Sequence, residues 1–135
     1  MRIRILIADD HEFIRKGVRR LIEVSGHTNW EICGEAADGS EAVARAKQLK
    51  PDLMIADIAM PRATGFDAAQ RLSEAGDSCR VLLISMYESR WLIEEARRVG
   101  AQGYVSKFQA ARDLIPAMER LLAGGTFFRP AETLA

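Results

Sequence analysis

Cysteine is scarce. Cys33 and Cys79 are the only two in 135 residues, too few for a disulfide framework and without a histidine at metal-ligand spacing. Both read as buried thiols of a protein in a reducing, cytoplasmic setting. The two histidines, His11 and His27, form no metal pattern either. Net charge is missing as well: 19 Lys and Arg balance 19 Asp and Glu, so no overall field draws the chain onto a nucleic-acid backbone. The nearest basic cluster, Arg15, Lys16, Arg19 and Arg20, has helical spacing and reads as a solvated helix face. No apolar run is long enough to span a membrane. The opening "MRIRILIA" meets carboxylates too soon for a signal peptide. No repeat, low-complexity tract or linker interrupts the chain before about Gly124.

What is present is the composition of a folded domain, 48% apolar and 28% charged. At this length a chain buries roughly two-thirds of its unfolded surface. Short β-rich runs alternate with longer stretches of period near 3.6. "IRILIA", "WEICGEA", "DLMIA", "RVLLIS" and "GYVS" read as strands. The first helix should bury Phe13, Ile14, Val18, Leu21 and Ile22. The second follows a capping box of Asp38 and Glu41, and the third one of Thr64 and Asp67. Leu92, Ile93, Ala96 and Val99 line the fourth, and Leu114, Ala117, Met118, Leu121 and Leu122 the fifth. Gly76, Gly100 and Gly124 suit helix stops. Pro116 lacks an N–H, which predicts that the last helix begins near Asp113 as N-cap, with the proline in its first turn. Five strands alternating with five helices imply an α/β fold, a doubly wound parallel sheet with right-handed crossovers. Ligands of such sheets collect at the carboxyl ends of the strands.

At or just past those ends stand Asp9 and Asp10, Asp57, Ser85 and Lys107. Carboxylates gathered this closely repel by several kcal/mol per pair at an effective dielectric near 20, so they need a cation. An all-oxygen set suits Mg²⁺. The plainer reading has Asp9 and Asp10 cap the first helix and Asp57 occupy a turn. Together the set describes a metal-assisted phosphoryl acceptor: a carboxylate nucleophile, a charge-neutralising ion, and ammonium and hydroxyl groups for the transferred phosphoryl.

In "ADDH" after the first strand, "DIAMPRATGFDA" after the third, "LLIS" at the fourth and "GAQGYVSK" around the fifth, the sequence resembles the receiver domains of bacterial two-component response regulators. The resemblance covers nearly the whole chain. It implies a flavodoxin-like (CheY-like) (βα)5 fold with strand order 2-1-3-4-5. It implies that Asp57 accepts the phosphoryl group from a sensor histidine kinase or phosphotransfer protein. It also implies that Asp10, Asp57 and the carbonyl of Ala59 bind Mg²⁺ directly, with Asp9 acting through water. Lys107 would pair with the phosphoryl group, and Ser85 and Tyr104 would form the switch pair, although Tyr104 also reads as a plain core aromatic. "DDHEFIRKGVRRLIE" and "LLAGGTFFRPAETLA" look most like the NarL/FixJ (LuxR-type) transcriptional regulators. Residues 1–123 would then be the receiver, and 124–135 the start of a linker toward a helix-turn-helix domain, with homodimerisation on activation. The segment itself would bind neither nucleic acid nor membrane.

Three positions depart from the common pattern. Phe108 rather than proline follows Lys107, which leaves that peptide bond open, since a non-proline cis bond costs about 3 kcal/mol. Ala59 offers no side chain to steer a hydrolytic water, and Tyr87 could shield the phosphoryl group; both favour slow dephosphorylation. The switch hydroxyl is serine, without threonine's methyl. A phosphatase of the haloacid dehalogenase type also uses an aspartate nucleophile, but it places an acid where Ala59 stands. A stand-alone receiver, or an interaction module working without phosphorylation, is the other alternative.

Overall fold

The computed structural model describes residues 1–129. Strands β1 (Ile3–Ala8), β2 (Trp30–Ala36), β3 (Leu53–Asp57), β4 (Arg80–Ser85) and β5 (Gly103–Ser106) alternate with helices α1 (Glu12–Glu23), α2 (Gly39–Leu49), α3 (Gly65–Glu74), α4 (Arg90–Arg98) and α5 (Ala110–Leu122). The five strands form one parallel sheet in the order β2-β1-β3-β4-β5. Side chains of successive strand residues point to opposite faces. Leu6, Ala8, Met54, Ala56 and Leu83 therefore pack under α2, α3 and α4, while Ile5, Ile7, Ile55, Ile84 and Val105 pack under α1 and α5. Both faces are covered, which is why the strand runs are almost continuously apolar.

The helix starts follow their caps. Thr64 and Asp67 exchange both hydrogen bonds of a capping box, at 2.9 and 3.1 Å. At α2, Asp38 accepts from the Glu41 N–H at 2.8 Å, but the Glu41 carboxylate reaches the N–H of Ala37 instead of Asp38. Gly76, Gly100 and Gly124 take positive φ at the ends of α3, α4 and α5, where a Cβ would be strained.

Several expectations fail, the first at α5. α5 starts at Ala110, led in by a 3₁₀ turn over Lys107–Gln109 in which the Phe108 N–H donates to the Ser106 hydroxyl. Asp113 does not cap the helix, because both its oxygens accept from the Arg112 guanidinium, at 2.8 and 3.0 Å. Pro116 thus lies inside the helix, leaving the Arg112 carbonyl without its usual donor. The helix persists because Leu114, Ala117, Met118 and Leu121 are fully enclosed, and each such side chain contributes up to a few kcal/mol. Phe13 leaves the α1 stripe as well: it is 85% exposed, beside an apolar groove between α1 and α5 lined by Ile14, Leu21, Ala110 and Leu114.

The basic face of α1 is only partly solvated. Lys16 and Arg20 are exposed, but Arg15 and Arg19 converge on Glu35 at 2.8 and 2.5 Å. The Arg19 hydrogen bond, against the opposing effect of burial and with help from Arg15, holds the Glu35 carboxyl below its usual range.

Past α5 the chain turns back along the free edge of β5. The Tyr104 N–H donates to the Phe127 carbonyl at 2.9 Å, and the Phe127 N–H donates to Gln102 at 3.0 Å. The Arg97 guanidinium covers the Phe128 ring at 4.1 Å, a cation–π contact. The remainder of the expected linker, residues 130–135, lies outside the described residues.

Cys79 is buried, and burial pushes its thiol up to about 12. Cys33 is half-buried, a correction to the expectation that both are buried, and burial also raises its thiol. Because thiolate is the reactive form, an alkylating reagent at pH 8 should label Cys33 first and reach Cys79 only on unfolding. Equal labelling rates by peptide mass spectrometry would contradict this.

Candidate functional site

The sheet delivers its polar residues to one edge. β1 ends at Ala8 and β3 at Asp57, so Asp9, Asp10 and Asp57 leave neighbouring strands side by side. Lys107 follows β5 and extends back across the edge. Its ammonium lies 2.9 Å from Asp9 Oδ2 and 3.2 Å from Asp57 Oδ2. Asp9 is fully buried and Asp57 nearly so. The Asp9 backbone is fastened by the Arg15 guanidinium, which donates to its carbonyl at 2.6 Å.

Neither aspartate caps α1. The N-cap is His11, without a side-chain cap, and its N–H donates to Asp9 Oδ1 at 2.9 Å. Asp9 Oδ1 takes that N–H, and Asp9 Oδ2 takes the Lys107 ammonium.

Burial, and next the charge of Asp9, push the Asp57 carboxyl above its usual range, opposed by Lys107 and by a backbone hydrogen bond from Ala59. Burial disfavours the Lys107 charge, but the Asp9 and Asp57 carboxylates prevail and hold its pKa above the usual value. One ammonium therefore serves two carboxylates, which leaves the pocket short of positive charge.

One more side chain stands beside the carboxylates. His11, set aside in the sequence reading as no part of a metal site, brings Nδ1 to 3.1 Å from Asp10 Oδ1 and 3.3 Å from Asp9 Oδ1. One ligand atom each from Asp9, Asp10, His11 and Asp57 lie within 4.8 Å of one another. Its position directly after the aspartate pair was the available signal.

Ser85 and Tyr104 both hold the Tyr87 backbone in the loop after β4. The buried Ser85 hydroxyl accepts from the Tyr87 N–H at 3.0 Å. The Tyr104 hydroxyl donates to the Tyr87 carbonyl, and its ring is buried. Burial raises the Tyr104 phenol. The Tyr87 ring itself is exposed, as is Ala59. No peptide bond among the described residues is cis, so Lys107–Phe108 is trans.

A CheY-like doubly wound sheet with an acidic, lysine-bridged pocket at its carboxyl edge defines the class of signal receivers. Residues 5–119 match the model of the response regulator receiver domain, and the chain belongs to that family. It is 40% identical over 116 residues to the transcriptional regulatory protein PdtaR of Mycobacterium tuberculosis (strain ATCC 25618 / H37Rv), covering 86% of this chain and 55% of that protein. It is 34% identical over 128 residues to the transcriptional regulatory protein YxjL of Bacillus subtilis (strain 168), covering 95% of this chain and 58% of that one. A LuxR-family two-component response regulator from Aurantimonas sp. SI85-9A1 superposes with a TM-score of 0.90 at 30% identity, covering 99% of this chain and 95% of that one. The signal receiver domain of NarL from Mycobacterium tuberculosis superposes at 0.85 with 30% identity, covering 91% and 98% of the two chains. The chain thus spans less than two-thirds of the curated relatives it matches, and it is a receiver domain of the two-component response regulators. No helix among the described residues is long and apolar enough to cross a membrane.

Proposed function

We propose that Asp57 is the phosphoacceptor. A carboxylate oxygen of Asp57 attacks the phosphorus of a phosphohistidine on a sensor histidine kinase or phosphotransfer protein. The P–N bond breaks, its electron pair stays on the imidazole, and an aspartyl phosphate remains. Lys107 follows the charge onto the phosphoryl oxygens, and the Ser85 hydroxyl turns from the Tyr87 N–H to donate to one of them. The observation that carries this reading is the Lys107 ammonium shared between Asp57 and fully buried Asp9, at 3.2 and 2.9 Å.

The donor set fits Mg²⁺: carboxylates close together, and one ammonium shared between two of them. Asp10, Asp57 and the Ala59 carbonyl would hold the ion, with Asp9 through water. When bound it would neutralise charge developing on the transferred group.

The exposed Phe13 and the α1–α5 groove adjoin Lys107 and would give the phosphohistidine-bearing partner an apolar footing. Phosphorylation would shift Ser85, hence the Tyr87 backbone that Tyr104 also holds. The route continues outward, since Tyr104 bonds the Phe127 carbonyl and Arg129 pairs with Glu88 at 3.3 Å and Asp113 at 3.7 Å. In this reading residues 1–123 form the receiver and 124–135 begin the linker to a helix-turn-helix domain. The whole regulator would dimerise and control transcription in the cytoplasm, catalysing nothing beyond its own phosphotransfer and dephosphorylation.

Acetyl phosphate with Mg²⁺ is expected to add one phosphoryl group to the wild type and none to Asp57→Asn, read by intact-mass spectrometry. A label persisting in the variant would overturn the assignment. With Ala59 and Tyr87 as found, decay of the label should be slow and should quicken in Tyr87→Asn.

A further inference from the structure

We propose that His11 is a further metal ligand, its Nδ1 joining Asp10 and Asp57, with Asp9 through water, in a mixed nitrogen–oxygen site that takes first-row transition cations such as Ni²⁺ and Zn²⁺ in preference to Mg²⁺. The inference rests on the pocket's being a divalent-metal site. Around an ion with ligands about 2.1 Å away in octahedral array, adjacent ligand atoms stand about 3.0 Å apart and opposite ones about 4.2 Å. Nδ1 lies 3.1 Å from Asp10 Oδ1 and 3.3 Å from Asp9 Oδ1, and the whole set falls within 4.8 Å. The separation of Nδ1 from Asp10 is that of adjacent ligands on one ion, and the 4.8 Å span of the set is slightly wider than the ~4.2 Å of opposite ones, so the side chains close in a little around a metal.

Asp9, on a side chain with no exposure, shares its ammonium with Asp57, so the pocket holds more negative charge than Lys107 alone balances. His11 is also free to serve. Among the described residues its ring pairs only with the Asp9 and Asp10 carboxylates, and it is two-thirds exposed, so it can reorient at little cost. His27 offers the contrast: its Nε2 contacts Glu119 at 2.8 Å, and its ring stacks on Trp30 at 3.7 Å. Carboxylates alone favour Mg²⁺, whereas an imidazole nitrogen adds affinity for Ni²⁺ and Zn²⁺ and little for Mg²⁺. Cation identity at the pocket would then depend on His11.

Isothermal titration of the full chain with NiCl₂ and with MgCl₂ tests this in the wild type, His11→Ala and His27→Ala. Removing His11 is expected to weaken Ni²⁺ about tenfold or more while leaving Mg²⁺ within about twofold, and removing His27 to change neither. Cu²⁺ added to the wild type should show nitrogen coupling in its electron paramagnetic resonance spectrum that His11→Ala loses. Unchanged Ni²⁺ affinity in His11→Ala, or equal weakening of both ions, overturns the role of His11 while leaving the metal pocket intact. A wild type that binds neither ion overturns the pocket itself. His11→Ala removes an exposed side chain that makes no cap bond, so folding is expected to hold, and circular dichroism verifies it.

Discussion

Lys107→Met is expected to lower the stability of the domain by about 3 kcal/mol, the usual cost of stripping a buried charge of its partner. Methionine keeps the side chain's length and packing, so the loss reports the ammonium. At about 3 Å and an effective dielectric near 20, each of its two contacts is worth about 5 kcal/mol before desolvation. With the ammonium gone, fully buried Asp9 and Asp57 face each other uncompensated. Mg²⁺ should restore much of the loss, because it supplies the charge Lys107 gave up and binds only the folded state.

The pH dependence has a definite sign. Asp57 already titrates above its usual range through burial and the Asp9 charge, so the folded state holds its proton more tightly than the unfolded chain does. The contribution of Asp57 to stability is then greatest below the unfolded carboxyl pKa and falls as pH rises through the folded one. Lys107→Met should steepen that fall, and a further Asp57→Asn change should flatten it. Urea titrations at several pH values, with and without Mg²⁺, provide the measurement. A loss under about 1 kcal/mol, or one that Mg²⁺ does not reduce, would mean that the ammonium is not the pocket's main counter-charge.

The strands were legible because a parallel strand buried on both faces must be apolar at nearly every position. "IRILIA", "WEICGEA", "RVLLIS" and "GYVS" coincide with β1, β2, β4 and β5, and "DLMIA" lies one residue off β3. The strand-end polar residues were legible for the related reason that a charge there has nowhere else to be. Long-range competition was not legible. Asp113 was free to cap a helix in the sequence, but in the fold Arg112 and Arg129 hold its carboxylate. Arg15 and Arg19 looked solvated until β2 placed Glu35 beside them. Phe13 has the period of the core stripe but sits at its margin, where periodicity cannot tell core from groove. The nearness of His11 to Asp9 and Asp10 was not legible, because its ring is turned back onto the pair only by the bend at the strand end.

Gly65→Ala is expected to be more damaging than its single added methyl suggests. A Cβ at position 65 would lie 2.4 Å from the Asp57 carbonyl oxygen and 3.0 Å from the Ile58 Cα. Both neighbours are backbone, so neither can turn aside as a side chain would. The Gly65 N–H also donates to the Ile58 carbonyl at 2.9 Å, which presses the start of α3 onto the end of β3. Overpacking of this kind costs about 1–3 kcal/mol when side chains can adjust, and the upper part of that range applies here. Relief must come from moving the strand end that carries Asp57, so the phosphoacceptor should lose its register with Lys107 along with stability. Gly17→Ala provides the control. Gly17 is interior to α1 with nothing within 4 Å of an added Cβ, so alanine should stabilise the domain by about 0.5–1 kcal/mol. Thermal melts and acetyl-phosphate labelling of the two variants should therefore diverge: Gly17→Ala melts higher with normal labelling, and Gly65→Ala melts lower with impaired labelling. If Gly65→Ala matched the wild type in both, α3 could not be what holds the carboxylate in place.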